Sequence, residues 1–273
     1  MKSKSFFILL TLFIFITSCS SYKRLAYAFV ESSKGASVAL YVPNELTKNN
    51  IIEECDEESL DSIAPENIQD TIDACTKILN KIDDNIFLNV MIASFEETLE
   101  DYNLSLDYWE NENSKPDSMH WVIDLSHIEI QELIEYQASY CGQNTDYEFV
   151  PTTVVNVASW FELINDEVSH LLFSEQNYNE YIIDCYYTID STNNVIINAE
   201  LQQLSIEGFY NFAVILGKLY AGYCYDFFMN DYVRKEMIKN EKDYHEDHIY
   251  MRYDPYESYI YGTYSDKLIK IED

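Results

Sequence analysis

The feature that most constrains the fold is a long apolar stripe between residues 206 and 227. Its members recur alternately at three and four residues: Ile206, Phe209, Ala213, Leu216, Tyr220, Tyr223 and Phe227. This spacing is typical of an amphipathic α-helix with one continuous apolar face. Because such a face must be covered, the stripe predicts a long helix that packs on another layer of secondary structure.

The covering layer is predicted to be a β-sheet, since several earlier segments alternate between apolar and polar residues. Residues 37–42, 104–109 and 121–130 read as strands, and residues 136–150 read as a loop. In each of two further predicted strands, the apolar residues are separated by even numbers of positions and so share one face. They are Val155, Val157, Phe161 and Leu163 in the first strand, and Tyr181, Ile183, Cys185, Tyr187 and Ile189 in the second. A turn at 190–194 predicts that residues 195–197 pair back as a hairpin.

Helix spacing also marks residues 68–104, where Asp83-Asp84-Asn85 separates two predicted helices and caps the second. This element order predicts an α+β fold, a two-layer sandwich with helices on one face of a largely antiparallel sheet. Because no linker rich in Pro, Gly or Ser divides the chain, residues 36–273 are predicted to form one domain. An acidic insertion is expected at about 53–70, and a Tyr-rich tail at about 244–273.

The N-terminal segment has the organisation of an export signal. Lys2 and Lys4 precede an apolar run over residues 6–16, which is too short to span a bilayer. Ile16-Thr17-Ser18-Cys19 resembles the lipobox of bacterial lipoproteins. The resemblance implies a signal peptide over residues 1–18, diacylation of the Cys19 sulfur, cleavage before Cys19 and acylation of the new amino terminus.

A lipid on Cys19 would hold the protein on a membrane, because two or more acyl chains anchor stably. Residues 19–35 are then expected to be a short tether. By analogy with bacterial lipoproteins, Ser20 resembles the outer-membrane sorting signal, and we expect the domain to face the periplasm. The alternatives are a secreted protein whose Cys19 is free or paired, or an N-terminal membrane anchor that is retained.

The charge of the chain excludes one class of partner. The chain has 48 acidic and 17 basic residues, and its formal net charge is −31. Such an excess of negative charge repels phosphate backbones and anionic lipid headgroups. Because nucleic-acid binding depends on positive charge, nucleic acid is rejected as a partner. The acidity favours a heavily solvated surface, with attraction of cationic or divalent-metal partners as the alternative.

Six cysteines become five once Cys19 carries lipid, so at least one stays unpaired outside the cytoplasm. Cys55 and Cys75 bracket the acidic insertion and are the candidate disulfide pair. In the alternative interpretation, Cys185 and Cys224 are small buried hydrophobic residues. No C-x-x-C motif supports a redox or zinc-thiolate site.

No catalytic residue is predicted, since the chain lacks a nucleophile elbow, a phosphate-binding glycine loop and an H-E-x-x-H motif. The nearest metal-like cluster contains Glu241, His245 and His248, for which we favour a solvated charge run. Three further histidines are interpreted as structural: His120, His127 and His170. No cofactor is expected other than the covalent lipid on Cys19.

The tail is unusually aromatic, and we favour its docking as a strand or over the long helix. Its tyrosines are Tyr250, Tyr253, Tyr256, Tyr259, Tyr261 and Tyr264. The leading hypothesis is a non-enzymatic, lipid-anchored envelope protein, an accessory or scaffold that contacts a protein partner in transport or assembly. In element order and anchor it resembles auxiliary lipoproteins of envelope transport. The alternative is a glycan-binding or glycan-active lipoprotein that uses the tyrosine tail and Trp109, Trp121 and Trp160.

Overall fold

A computed structural model describes residues 21–51, 76–108, 121–140, 147–165, 168–189, 191–192, 195–240, 249–264 and 268–271. Three helices lie in these ranges: α1 (21–33), α2 (Asp84–Asp101) and α3 (Ile206–Lys239), with a 3-10 turn at Leu79–Lys81. The strands are β1 (Ser37–Tyr41), β2 (Thr47–Asn50), β3 (Ser105–Tyr108), β4 (Trp121–Tyr140), β5 (Tyr147–Asn165), β6 (Val168–Asn179), β7 (Tyr181–Ile189), β8 (Val195–Gln202), β9 (Tyr250–Asp254), β10 (Tyr259–Thr263) and β11 (Ile269–Lys270).

Seven strands form the main sheet in the order β11-β6-β5-β4-β1-β3, with β2 also paired to β4. The long central strands β4, β5 and β6 are antiparallel, whereas β1 and β2 join β4 in parallel and β3 joins β1 in parallel. Two hairpins stand outside this sheet, β7–β8 and β9–β10. The predicted α+β class is confirmed, and the sheet is mixed because the short strands β1, β2 and β3 pair in parallel, whereas β11 is antiparallel to β6.

The main core lies between one face of the sheet and the helices. Val155, Val157, Phe161 and Leu163 all point to this face and are fully buried in the same cluster as residues of α2 and α3. Phe161 makes an edge contact with the ring of Tyr220 on α3, at 5.0 Å between centroids. The predicted buried parity of β5 is therefore confirmed.

Helix α2 begins at the cap expected from the sequence, and α3 begins at a serine cap that the structure reveals. The Asp83 side chain accepts a hydrogen bond from the Ile86 N–H, and Ser205 accepts one from the Gly208 N–H. Helix α3 extends to Lys239, beyond the end of the predicted stripe. Its continuation is explained by three further buried apolar residues: Phe228, Val233 and Met237.

The predicted tether over residues 19–35 is corrected by α1, which occupies residues 21–33. Ala26, Phe29 and Val30 have helix spacing and are buried in the main core. The Phe29 ring stacks on Trp121 at 5.3 Å between centroids. Because these apolar side chains gain a partner in the sheet layer, the segment is helical rather than an open linker.

The predicted loop over residues 136–150 is also corrected. Strand β4 continues to Tyr140 and β5 begins at Tyr147, and the two remain paired up to Tyr140 opposite Tyr147. The predicted centre of the loop, Cys141-Gly142, lies outside the described residues. Cross-strand pairing, which depends on the partner strand, extends both elements beyond their local apolar pattern.

Candidate functional site

Many predicted site residues lie outside the described ranges. They are Cys19, Cys55, Cys75, Trp109, His120, Glu241, His245 and His248, together with the acidic insertion at 53–70. Lipidation of Cys19, the Cys55–Cys75 disulfide and the metal cluster therefore stay predictions. Among the residues that the structure does describe, no group of three or more His, Cys, Asp or Glu could hold a metal ion.

Two cysteines are described. Cys185 on β7 is disulfide-bonded, and Cys224 on α3 is free and buried. The expectation of at least one unpaired cysteine is confirmed, whereas the interpretation of Cys185 as a small buried hydrophobic residue is wrong. Burial raises the pKa of the Cys224 thiol, so this side chain stays protonated and inert.

Two hairpins, here called the arms, project from one end of the main sheet. The first arm consists of residues 134–140 of β4 and 147–153 of β5, which pair with each other beyond the last β5–β6 pair. The second arm is the β7–β8 hairpin, which follows β6 directly. The predicted hairpin at 195–197 is thus confirmed as β8.

Both arms carry large apolar side chains that are exposed. On the first arm Tyr136 is 68% exposed and Phe149 is 67% exposed, and on the second Ile189 is 70% exposed. The others on the arms are Ile134, Tyr181, Ile183, Tyr186 and Tyr187. Alternation along β7 predicts one buried face, but among the described strands β7 pairs only with β8, and Tyr181, Ile183, Tyr187 and Ile189 remain exposed. A concentration of this kind is typical of a contact surface.

The arms are joined at their base by Glu180, the fully buried residue between β6 and β7. Its carboxylate accepts the Thr153 N–H at 2.8 Å and both oxygens are bound by the Lys77 ammonium at 2.7 Å. Its carbonyl accepts a hydrogen bond from Gln137 of the first arm at 3.2 Å. Burial alone would raise the pKa of Glu180, but the hydrogen bonds from Lys77 and Thr153 lower it.

A second buried carboxylate, Glu132, fixes the segment that carries Lys77. Its two oxygens accept backbone N–H groups, from Lys77 at 2.5 Å and from Leu79 at 2.9 Å. Both carboxylates are fully hydrogen-bonded, so they are structural supports for the base of the arms.

The second candidate surface is the open face of the sheet, on the side opposite the main core. Strand register places three rows of side chains across β4, β5 and β6. The rows are His127–Trp160–Phe173, then Glu129–Ala158–Glu175, then Gln131–Asn156–Asn177. We call these nine residues the open-face grid.

The first row of the grid is aromatic and partly exposed. The Trp160 ring lies 5.0 Å from His127 and 5.1 Å from Phe173, measured between centroids. None of these three side chains packs against the main core cluster. Partly exposed aromatic side chains held at fixed positions are suited to stacking.

Carboxylates and amides occupy the other two rows of the grid. Asn156 donates hydrogen bonds to Glu175 and, at 2.7 Å, to Asn177. Glu129 accepts from the Gln131 amide at 2.7 Å, and this bond lowers its pKa, so the group stays ionised at neutral pH. The grid therefore offers aromatic stacking beside oriented hydrogen-bonding groups.

The two tryptophans and the two histidines that the structure describes lie in different environments. Trp121 faces the main core, stacked on Phe228 at 5.3 Å, so its predicted role as a sugar platform is wrong. Trp160 lies on the open face. His170 packs against the Phe227 ring, and burial lowers its pKa, which agrees with a structural role.

The Tyr-rich tail docks as the β9–β10 hairpin over α3, as favoured from the sequence. Asn230 of α3 accepts the Met251 N–H at 2.8 Å, and Asp226 accepts the Tyr253 N–H at 3.1 Å. Tyr253 lies among Tyr102 and Tyr225. Four tyrosines of this tail are exposed: Tyr256, Tyr259, Tyr261 and Tyr264.

Phe173 and the first arm were not predicted from the sequence as functional features. Phe173 has the same parity as Glu175 and Asn177, but only the β5–β6 register places it beside Trp160. Tyr136 and Phe149 fell inside the predicted loop. A signal for the arm was present in the alternation of apolar residues at Ile134, Tyr136 and Phe149.

No described helix is long and apolar enough to cross a membrane. No family model matches the chain, and no curated protein matches it. One similar solved structure is that of a protein assigned as a homolog of a neuraminyllactose-binding hemagglutinin from Helicobacter pylori. It is 10% identical with a TM-score of 0.33, and the match covers 76% of this chain and 91% of that chain. At this TM-score the likeness carries no argument about function.

Proposed function

We propose that this protein is a lipid-anchored component of the bacterial cell envelope that acts as a non-enzymatic accessory and binds a partner protein through its arms. The observation that carries the proposal is the set of exposed apolar side chains on the two arms. The lipobox-like Ile16-Thr17-Ser18-Cys19 supports the anchor, and Ser20 supports an outer-membrane location facing the periplasm.

The arms support a protein contact on energetic grounds. An isolated two-stranded hairpin is marginally stable in water, and an exposed Ile or Tyr gains roughly 1–2 kcal/mol when a partner buries it. Several such side chains on two adjacent hairpins would supply most of the apolar centre of an interface. The buried Glu180 contacts hold the arms at a fixed base, which lowers the cost of ordering them on binding.

The test replaces Ile183 and Ile189 on the second arm by serine in the membrane-bound protein. The matched control replaces Ile215 and Ile238, isoleucines of α3 with similar exposure, by serine. Mild cross-linking and affinity purification from membranes should recover a stable envelope protein with wild type and control. The arm variant should recover at least about ten-fold less.

Circular dichroism spectra of both variants must match the wild type, so that loss of the partner reports the surface and not the fold. Two results contradict the proposal. One is equal recovery of the same partner by the arm variant. The other is recovery of no stable partner by the wild type.

A second candidate function, binding of a glycan, is favoured by the open-face grid. The Trp160 row supplies stacking, and Gln131, Glu129 and Glu175 supply hydrogen-bonding groups, while the buried Asn156 amide holds Glu175 in position. Sugar rings present an apolar face and hydroxyl groups, which suits this pairing of rows.

Trp160→Ala is the test variant, and Tyr256→Ala, an exposed tyrosine remote from the grid, is the control. A glycan array should show a ligand that wild type and control bind and that Trp160→Ala binds at least about ten-fold more weakly. Absence of any array signal, together with no hydrolysis of peptidoglycan or polysaccharide, would end this candidate.

A further inference from the structure

We propose that Lys23, Arg24 and the outer tyrosines of β10, Tyr259 and Tyr261, form a surface that seats the domain on an anionic lipid bilayer. These residues are here called the seating patch. The inference rests on the proposed lipidation of Cys19. It adds to that proposal a fixed orientation of the domain on the membrane.

The first argument is the short chain between the anchor and the folded domain. Helix α1 is already formed at residue 21, two residues after Cys19. Two residues span at most about 7 Å, which is close to the thickness of one headgroup layer. Because Ala26, Phe29 and Val30 bury α1 in the main core, the start of the helix cannot swing away from the domain. An anchor at Cys19 therefore places the first turn of α1 at the membrane surface.

The second argument is the charge of that first turn. Basic residues are scarce in this chain, 17 against 48 acidic ones, yet Lys23 and Arg24 are adjacent. Arg24 is exposed, and Lys23 is partly exposed. Both lie within about one Debye length of lipid headgroups once Cys19 is inserted. Paired basic residues beside an anchor complement an anionic leaflet.

The third argument is the attachment of the tyrosine hairpin to α1. The Lys23 ammonium lies over the Tyr259 ring, 4.2 Å from its centroid. The Tyr27 hydroxyl accepts the Ile260 N–H at 3.3 Å. Tyr259 and Tyr261 lie on the outer face of β10 and are 48% and 44% exposed. Tyrosine is suited to the membrane interface, where its ring meets lipid and its hydroxyl stays hydrated.

The carboxylates of Asp254 and Glu257 lie beside the patch, and an anionic surface repels them. Asp254 pairs with Tyr259 across the hairpin, and its side chain accepts N–H groups of the 255–258 turn, including that of Glu257. The contact therefore depends on the anchor to hold the patch at the membrane. Its attraction should weaken as salt is raised, because the charges involved are solvent-exposed.

The test is tyrosine nitration of the acylated full chain on vesicles of phosphatidylethanolamine and phosphatidylglycerol (3:1), compared with the same protein in neutral detergent. Peptide mass spectrometry reads each site. Tyr259 and Tyr261 should be modified at least about ten-fold more slowly on vesicles. Tyr136, Tyr181 and Tyr186 of the arms, which are exposed in the same molecule, serve as internal references and should not change.

Lys23→Glu combined with Arg24→Glu should restore modification of Tyr259 to within about two-fold of its detergent value while the protein stays on the vesicles. The control, Lys218→Glu combined with Lys239→Glu, makes the same charge change at exposed positions of α3 and should leave protection intact. Vesicles of phosphatidylcholine alone should protect less than anionic vesicles.

Intact mass separates the two ways in which the inference can fail. A protein without acyl mass at Cys19 refutes the anchor, and with it this orientation. An acylated, vesicle-bound protein whose Tyr259 reacts as fast as in detergent refutes the orientation alone. Equal restoration by the α3 control would show that net charge, and not the seating patch, governs protection, and would also overturn the inference.

Discussion

Replacement of Gly217 by alanine is predicted to destabilise the domain by forcing α2 and α3 apart. A Cβ atom at this position would lie 2.1 Å from the Met91 carbonyl oxygen and 3.0 Å from the Phe95 nitrogen. Both are backbone atoms of α2, so no side-chain rotation can relieve the clash. The helices must separate, or α3 must shift along its axis, and either change loosens the main core.

The magnitude follows from two opposing effects. Alanine stabilises a helix by about 1 kcal/mol relative to glycine. Overpacking of a core costs about 1–3 kcal/mol, and a backbone clash belongs at the top of this range or above it. We therefore expect a net loss of about 2 kcal/mol in the free energy of unfolding.

Gly222 on the same helix is the matched control. Its added Cβ would meet the Tyr102 hydroxyl at 3.3 Å, which is the far end of a side chain. This neighbour has to move only a few tenths of an ångström, so the helix-propensity gain is mostly retained. Gly222→Ala is expected within about 1 kcal/mol of wild type, on the stabilising side.

The assay is urea unfolding followed by circular dichroism, with the disulfide intact. With a slope of about 3 kcal/mol per molar urea, Gly217→Ala should lower the midpoint by about 0.7 M. The reasoning is refuted if Gly217→Ala unfolds at or above the wild-type midpoint. Equal shifts of the two variants would refute it as well, because they would show that the α2–α3 approach is not the cause.

Two further predictions concern buried titratable groups. Burial alone would raise the pKa of Asp231, but hydrogen bonds from Arg234, Lys235 and Asn165 lower it. The resulting stabilisation is complete above the pKa of Asp in the unfolded chain, about 3.9, and is lost as the pH falls through the lower pKa of Asp231 in the folded protein. Below about pH 4 the urea midpoint of wild type should therefore fall more steeply with pH than that of Asp231→Asn. Parallel curves would contradict this assignment. Cys224 is buried with a raised thiol pKa, so a maleimide at pH 7.5 should label it at least about a thousand-fold faster in denaturing urea than in the native protein.

The sequence predicted those elements whose apolar pattern repeats over many residues. The three-and-four spacing from Ile206 onward predicted α3, and the parity of Val155, Val157, Phe161 and Leu163 predicted which face of β5 is buried. The Asp83 cap predicted the start of α2. These signals are local, because helix and strand periods are properties of the backbone itself.

Local patterns did not reveal which elements would gain a covering layer. β7 alternates as clearly as β5, yet most of its apolar residues stay exposed because, among the strands that the structure describes, it pairs only with β8. Residues 21–33 looked like a tether, yet they form α1 because Trp121 and α3 offer Phe29 a surface. Burial depends on contacts with residues far away in the chain, which no local period encodes.

The candidate surfaces depend on the tertiary structure in the same way. By itself the sequence determined the α+β class, helices α2 and α3, several of the strands, the strongly acidic charge and the presence of a lipobox-like Cys19 segment. Only the strand register placed Trp160 between His127 and Phe173, and only the fold brought Lys23 onto the Tyr259 ring. These groups are far apart in the chain, and they meet because long-range strand pairing and helix packing join their elements.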